Sequence, residues 1–157
     1  MKVVLVGDNA VGKTCLITNY LHNTFTENYE PTVLDVYNGT KSLNKRQLDL
    51  ELHDTSGDDN LAQNRKVVYS KADLFMLCVA TNDKRSFENI GKWVDEISTV
   101  DLKMEVPIYL VLTKSDMASK DVTIKMLKEK SDSDERFIGS GKTSSKEWED
   151  FNVHKTF

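Results

Sequence analysis

The first residues that could do chemistry form a glycine-rich loop between a short apolar run and a helical pattern. Residues 7–14 read GDNAVGKT and fit the spacing G-x-x-x-x-G-K-[ST]. Gly7 and Gly12 allow the backbone to curl around an anion, so that its N–H groups and a helix N-terminus face phosphate oxygens. Lys13 would then lie against the β- and γ-phosphates of a nucleotide, and Thr14 would offer its hydroxyl to Mg²⁺. The sequence therefore predicts a P-loop nucleotide site.

A second candidate follows an alternating strand pattern, where residues 53–57 read HDTSG. Asp54, at the end of that strand, could hold Mg²⁺ through a water molecule, and Gly57 could present its backbone N–H to a γ-phosphate. This D-x-x-G pattern is common, and it carries weight here because it follows a P-loop. Four further residues of the first loop are expected beside the nucleotide: Asn9, Ala10, Val11 and Cys15.

The nucleotide base must be recognised elsewhere, and residues 113–116, which read TKSD, follow an apolar strand-like run. Asp116 could accept two hydrogen bonds from the N1–H and the exocyclic amine of guanine, a pair of donors that adenine lacks at this edge. Thr113 begins this motif, and the alkyl chain of Lys114 could cover the face of the base. The motif favours GTP or GDP over ATP, and no arginine-rich lid supports the alternative of an ATP-using kinase.

A third segment, Ser140, Gly141 and Lys142, is expected to follow the last strand and to reach the same base. The backbone N–H of Gly141 could donate to the O6 of guanine, an acceptor that adenine does not have.

These motifs are positioned by alternating strand and helix patterns, which indicate an α/β fold with a mostly parallel sheet. A hairpin between Ser42 and Arg46 should add an antiparallel edge pair. In such sheets ligands bind at the carboxyl ends of the strands, so the loops after residues 6, 54, 112 and 139 should share one rim. The predicted strands are 2–6, 48–54, 72–80, 106–112 and 136–139, and the predicted helices are 13–22, 62–70, 84–99, 121–131 and 144–155.

Composition limits the other possibilities. The 157 residues correspond to one domain, predicted to span 1–157, with a net charge of −4 that does not suit a nucleic-acid polymer as partner. Two cysteines form no disulfide framework and favour a reducing, intracellular setting. No apolar run approaches the roughly 20 residues of a membrane-spanning helix.

Several motifs together resemble the Ras superfamily of small GTPases in their order and spacing: GDNAVGKTCL, FTENYEPTVLDVY, DTSG, SFENIGKW and TKSD. Within that superfamily, SFENIGKWVDEI, the P-T-V-x-D-x-Y string and TKSD are similar to the Rho and Rac proteins. The resemblance covers residues 2–157 and implies the P-loop NTPase fold, with a six-stranded, mostly parallel sheet and five helices. It also implies a switch protein that binds GTP or GDP with Mg²⁺.

The resemblance also implies roles for individual residues. Phe25 matches an aromatic residue that meets the guanine edge-on, and Tyr29 matches a tyrosine that closes over the phosphates. Thr32 matches a threonine that ligates Mg²⁺ only when GTP is bound. The regions 25–37 and 54–69 then resemble surfaces that bind effector proteins, and exchange factors, activating proteins and dissociation inhibitors are further expected partners of a monomer.

Three departures from the family pattern concern hydrolysis and subfamily. Asn9 stands where most members have glycine, and Asp58 follows Gly57 where a water-orienting glutamine is usual. Four residues are expected around the reacting phosphate: Lys13, Thr32, Gly57 and Asp58. An ionised carboxylate such as that of Asp58 cannot donate a hydrogen bond to this phosphate. Residues 117–139 leave no room for the additional helix of most Rho proteins. The sequence therefore predicts slow hydrolysis, and leaves open a GTPase-deficient module similar to the Rnd branch, or a Ras-like rather than Rho-like protein.

The resemblance further implies a cytoplasmic protein. Rho proteins usually continue into a basic tail with a prenylated cysteine, whereas this chain ends in NVHKTF. We therefore expect attachment to the inner membrane face only through a lipidated tail beyond the given sequence.

Overall fold

A single sheet of six strands organises the computed structural model, which describes residues 1–102 and 105–147. In sheet order the strands are β2, β3, β1, β4, β5 and β6, and β2 alone among them runs antiparallel to its neighbour. The predicted mostly parallel six-stranded sheet is thereby confirmed. The strand bounds are β1 (Lys2–Val6), β2 (Leu34–Leu43), β3 (Arg46–Thr55), β4 (Leu74–Ala80), β5 (Ile108–Thr113) and β6 (Phe137–Lys142).

Helices cover both faces of the sheet, which explains why the central strands are continuously apolar. All seven residues of β4 are buried, because its alternate side chains enter different hydrophobic clusters. One cluster includes Phe75 and Trp93, and the other includes Ile17 and Met76. The described helices are α1 (Lys13–His22), the 3-10 helix Asp59–Leu61, α2 (Ala62–Tyr69), α3 (Lys84–Glu88), α4 (Ile90–Ser98) and α5 (Ile124–Asp132).

Two predicted helices differ from the observed ones for local reasons. The helix predicted over 84–99 is divided at Asn89, whose φ of −80° and ψ of 0° separate α3 from α4. The helix predicted over 121–131 begins only at Ile124, because Thr123 is extended and its hydroxyl accepts a hydrogen bond from the backbone N–H of Met126. Most of the helix predicted over 144–155 lies outside the described residues, and 144–147 are not helical.

None of the helices within 1–102 and 105–147 has the length and apolar character needed to cross a bilayer.

The predicted hairpin closes with a two-residue turn between β2 and β3. Asn44 and Lys45 both have positive φ, 47° and 66°, which is the backbone of a type I′ turn. This turn matches the twist of the two strands, but an L-residue with a Cβ is disfavoured at both positions.

Replacing Lys45 by glycine should therefore stabilise the protein. We expect the free energy of unfolding to rise by about 0.5–1 kcal/mol, since the relief of the left-handed strain outweighs the extra freedom of the unfolded chain. Arg46→Gly is the matched control, because Arg46 lies in β3 without a positive φ and its replacement should destabilise. Urea denaturation measures both, and a loss of stability in Lys45→Gly would contradict the turn.

Candidate functional site

A cavity of about 650 Å³ lies at the rim where the parallel strands end. The loops that follow β1, β3 and β5 all contribute to its wall, as expected for a sheet of this topology. Most of the residues predicted from sequence are brought together there: Asn9, Ala10, Gly12, Lys13, Thr14, Cys15, Phe25, Tyr29, Thr32, Gly57, Thr113, Lys114 and Asp116. The predicted residues that do not line the cavity are Gly7, Val11, Asp54, Asp58, Ser140, Gly141 and Lys142.

The phosphate loop begins as β1 ends and leads directly into α1. Gly7 and Gly12 have φ of 138° and 98°, values that let the loop curl back on itself and that side chains disfavour. Ala10 also has a positive φ, 60°. Gly12 is the N-cap residue of α1 and has no side chain to occupy the helix end, so the first N–H groups of the helix are available to donate to an anion.

Lys13 is buried inside this loop, with only 6% of its surface exposed. Its ammonium group donates to the carbonyl oxygens of Gly7 at 2.8 Å and Asp8 at 2.7 Å. Burial lowers the pKa of Lys13, while the carboxylates of Asp54 and Asp8 oppose this effect. The loop thus holds a cation at its centre, where phosphate oxygens would provide further acceptors.

Thr14, Thr32 and Asp54 form a cluster of oxygen atoms beside Lys13. The Thr14 hydroxyl donates to Asp54 Oδ2 at 2.5 Å and lies 3.1 Å from the Thr32 hydroxyl, which lies 3.3 Å from the same carboxylate oxygen. Asp54 is fully buried, and its Oδ1 has no hydrogen-bond partner among the described residues. Burial raises the pKa of Asp54, and the Thr14 hydrogen bond and the charge of Lys13 oppose the rise.

These three residues form a donor set that could hold a hard cation such as Mg²⁺. They supply only oxygen atoms, which Mg²⁺ prefers, and the free Asp54 oxygen could accept from a metal-bound water. Within residues 1–102 and 105–147, no group of three or more His, Cys, Asp or Glu side chains is arranged to hold a metal. A cation beside Thr14 and Thr32 could be held by their hydroxyl oxygens together with water and phosphate oxygens.

Gly57 packs directly against the phosphate loop. Its backbone N–H donates to Asn9 Oδ1 at 3.0 Å, and a Cβ at Gly57 would lie 2.3 Å from the backbone nitrogen of Asn9. Only glycine fits at this distance, so the sequence motif and the close approach have the same cause.

Asp58 follows Gly57 but its carboxylate is used elsewhere. Its Oδ1 accepts a hydrogen bond of 2.9 Å from the backbone N–H of Asn60 and thereby caps the 3-10 helix at Asp59–Leu61. Asp58 therefore follows a residue that lines the cavity, but does not line the cavity itself.

A buried arginine that sequence reasoning missed holds the backbone on both sides of Gly57. Arg65, in α2, donates through Nη1 to the carbonyl oxygens of Ser56 at 2.9 Å and Asp58 at 2.6 Å. Its Nε and Nη2 make a two-pronged contact of 2.8 and 2.7 Å with the Glu96 carboxylate on α4. The sequence did hold a signal, because Arg65 lies three and four residues before Val68 and Tyr69, on the buried face of α2.

Helix α4 supports the phosphate loop as well. Trp93 Nε1 donates to one oxygen of Asp8 at 2.7 Å, and Asn89 Nδ2, from the residue before α4, donates to the other at 2.7 Å. The guanidinium of Arg65 stacks over the Trp93 ring at 4.9 Å from its centre. Trp93 thus lies between the two loops that approach the cavity.

The candidate base site is built on the loop after β5. Lys114 has a φ of 56°, and its ammonium group donates to the carbonyl oxygen of Ala10 at 2.6 Å, which carries its alkyl chain across the cavity. The Thr113 hydroxyl joins the same loops by donating to the carbonyl oxygen of Val11. Asp116 Oδ1 accepts from the Ser144 hydroxyl at 2.6 Å. The outer wall includes Phe25 and Tyr29, both exposed.

The prediction that Ser140, Gly141 and Lys142 follow the last strand is wrong. These residues are inside β6, where they pair with Leu110, Val111 and Leu112 of β5.

The physical reason is the packing of Tyr109 over two glycines that sequence reasoning took as the end of the strand. Any Cβ at Gly141 would lie 2.6 Å from the Tyr109 hydroxyl, so glycine marks a close approach within the strand. The turn comes later, and Ser145 and Lys146 line the cavity in place of the predicted residues. The Ser144 contact with Asp116 ties this later turn to the base site.

The fold and cavity together define a P-loop nucleotide site. The sequence profile of the Ras family matches residues 2–157. The chain is also 40% identical over 130 residues to the Rho-related protein racC of Entamoeba histolytica (strain ATCC 30459 / HM-1:IMSS / ABRM), an alignment that covers 82% of this chain and 66% of that protein. The chain thus spans just under two thirds of the length of this relative. It belongs to the Ras family, and its resemblance to Rho and Rac proteins is confirmed.

Glu96 should contribute strongly to stability, because it is the counter-ion of the buried Arg65. Burial alone would raise the pKa of Glu96, but hydrogen bonds from Arg65 and Tyr69 outweigh it and lower the pKa below the ordinary 4.5. We expect Glu96→Gln to reduce the free energy of unfolding at neutral pH by about 3 kcal/mol, the scale for breaking one side of a buried ion pair.

The same substitution has an expected pH dependence. Because the pKa of Glu96 is lower in the folded state, its carboxylate stabilises the fold fully at pH values above the unfolded-state pKa of 4.5. This stabilisation is lost as the pH falls through the folded-state pKa. The difference in the free energy of unfolding between wild type and Glu96→Gln should therefore become smaller below pH 4.5. Glu88→Gln is the control, since its pair with Lys84 is exposed, and urea titrations that showed equal losses for both variants would contradict the role of Glu96.

Proposed function

We propose that this chain is a Rho-like switch that binds GTP and GDP with Mg²⁺ in the cavity at the sheet rim. One observation carries the proposal: the buried Lys13, the hydroxyls of Thr14 and Thr32 and the Asp116 carboxylate line the same cavity, and Thr14 donates to the buried Asp54. The lysine suits the phosphates, the threonine hydroxyls with Asp54 suit the metal, and the Asp116 carboxylate suits the base. Proteins of the Ras family bind these nucleotides, which agrees with the geometry.

In the proposed complex, Lys13 and the N–H groups of the phosphate loop bind the β- and γ-phosphates. Thr14 and Thr32 would hold Mg²⁺ through their hydroxyl oxygens, and Asp54 would support it through a water molecule. When bound, the metal neutralises charge that develops on the phosphate oxygens.

The switch would depend on two backbone segments that approach the terminal phosphate. Thr32 lies in the first segment and Gly57 in the second, and contacts to the phosphate and its metal would tether both. Large apolar side chains are exposed on and beside these segments, which supports a surface that effector proteins contact through regions 25–37 and 54–69. They are Phe25, Tyr29, Val33, Leu34, Val36 and Val67. Exchange factors, activating proteins and dissociation inhibitors are proposed as further partners.

Guanine specificity gives the direct experiment. Asp116 should accept from two guanine donors, and a site built for such a pair can reject a mismatched base by about 10⁴-fold. We expect wild type to prefer GTP to ATP by about that factor and Asp116→Asn to shift preference from guanine towards xanthine nucleotides. Competition with fluorescent nucleotides measures this, with the exposed Asp121→Asn as a control that should behave like wild type. Equal affinity of wild type for GTP and ATP would refute the proposal.

Slow hydrolysis is the second part of the proposal. Attack on the γ-phosphate needs a water molecule held in line, which a side-chain amide can orient by accepting and donating hydrogen bonds. Asp58 cannot donate when ionised, and its carboxylate caps the 3-10 helix instead. This capping favours a second candidate function, a module that stays loaded with GTP and acts by binding rather than by cycling.

Restoring the missing groups should therefore accelerate hydrolysis. We expect Asp58→Gln with Asn9→Gly to raise the single-turnover rate by about 10²-fold, since one well-placed donor is worth about 10²–10³ in rate. Asp59→Gln is a matched control without expected gain, because Asp59 pairs with Lys92 and lies outside the cavity. A wild type that hydrolyses GTP as fast as the double variant would favour a cycling switch.

A further inference from the structure

The hydrogen bond between Asn9 and Gly57 uses a donor that the proposed function needs elsewhere. The Gly57 N–H points at Asn9 Oδ1, 3.0 Å away. A backbone N–H only donates, so the carbonyl oxygen of the Asn9 carboxamide must be the atom that faces it. The same N–H is the one that the proposed function assigns to the terminal phosphate of GTP.

The backbone around Gly57 is also held from the opposite side, by Arg65. Arg65 restricts the movement of this backbone, because it donates to the carbonyl oxygens of the residues before and after Gly57, at 2.9 and 2.6 Å. Arg65 is itself 1% exposed and fixed by Glu96. The direction of the Gly57 N–H is therefore set by buried contacts, whereas the Asn9 side chain that receives it is exposed.

We propose that the Asn9 carboxamide competes with the terminal phosphate of GTP for the Gly57 N–H, and so reduces the preference of this chain for GTP over GDP. The inference rests on the proposed function, because it takes Gly57 as a phosphate donor. GDP lacks the γ-phosphate, which is the terminal phosphate of GTP, and leaves the Asn9–Gly57 hydrogen bond intact. GTP must displace this hydrogen bond. The free energy gained when the Gly57 N–H binds the terminal phosphate is therefore partly offset by the loss of the bond to Asn9.

The same competition predicts how Gly57 behaves in the GDP form. A donor that is bonded to Asn9 remains in place after the terminal phosphate has gone. Gly57 should then stay ordered in both nucleotide states, and the loss of the phosphate would be sensed mainly through Thr32. The position of Gly57 would therefore differ less between the GTP and GDP forms of this protein than between those of a chain with glycine at position 9.

Two variants separate the hydrogen bond from the volume of the side chain. Asn9→Ala removes both, whereas Asn9→Leu keeps a side chain of similar size and shape but removes the acceptor. Both should be tolerated, since Asn9 is exposed and its φ is not positive. Asn38→Ala is the control, because Asn38 is exposed on β2 and does not line the cavity.

We expect Asn9→Ala and Asn9→Leu each to raise the ratio of affinities for a β,γ-imido GTP analogue and GDP by about fivefold, the worth of one net hydrogen bond. Amide hydrogen exchange at Gly57, followed by NMR in the GDP-bound protein, should be slow in wild type and in Asn38→Ala and fast in both Asn9 variants. The ratio tests the competition, and the exchange rate tests the contact without reference to hydrolysis.

An unchanged affinity ratio in both Asn9 variants, with nucleotide binding intact, would overturn this inference alone. A rise in Asn9→Ala that is absent in Asn9→Leu would also overturn it, because side-chain volume and not the acceptor would then be responsible. Failure of the wild type to bind either guanine nucleotide would overturn the proposed function as well.

Discussion

The buried guanidinium of Arg65 determines where the backbone from Ser56 to Asp58 lies. A guanidinium carries its N–H donors in one rigid plane, and here they are divided between two carbonyl oxygens of that backbone and both oxygens of Glu96. Such a cation would be costly to bury without its carboxylate partner. One ion pair therefore joins α2, α4 and the loop after β3, and the direction of the Gly57 N–H follows from it.

Helix α4 extends the same support to the phosphate loop. Trp93 contacts Arg65 through its ring and Asp8 through its indole N–H, so both loops rest on one side chain. On the far side of the cavity, Thr113 and Lys114 donate to carbonyl oxygens of the phosphate loop and connect it to the base site. Groups that must act together on a nucleotide are thus positioned before it binds, which reduces the ordering that binding requires.

The sequence allowed the frame of the site to be predicted, but not the direction of every side chain in it. Strand β1 was predicted with its observed bounds because a short apolar run ends at a glycine, and Lys13, Thr14 and Asp54 follow from strand ends that meet at one rim. The end of β6 was misplaced because glycine commonly ends a strand, and only the three-dimensional position of Tyr109 shows why it does not do so here.

Side chains with partners far along the chain were the ones that sequence patterns could not place. Arg65 meets Glu96 across 31 residues and Asp8 meets Trp93 across 85. No local spacing reports such contacts. The capping contact of Asp58 with Asn60 could not be predicted for the opposite reason, because it depends on the local backbone path, which the motif leaves undefined.

The contacts of Asp8 change how the phosphate-binding motif of this chain should be regarded as a module. In the pattern G-x-x-x-x-G-K-[ST] position 8 is free to vary, yet both oxygens of its carboxylate are committed to Asn89 and Trp93. The eight residues 7–14, grafted onto another scaffold, would carry an unpaired carboxylate at the base of the loop. For protein engineering, the transferable unit is the loop together with the start of α4, two pieces of chain that no single cassette contains.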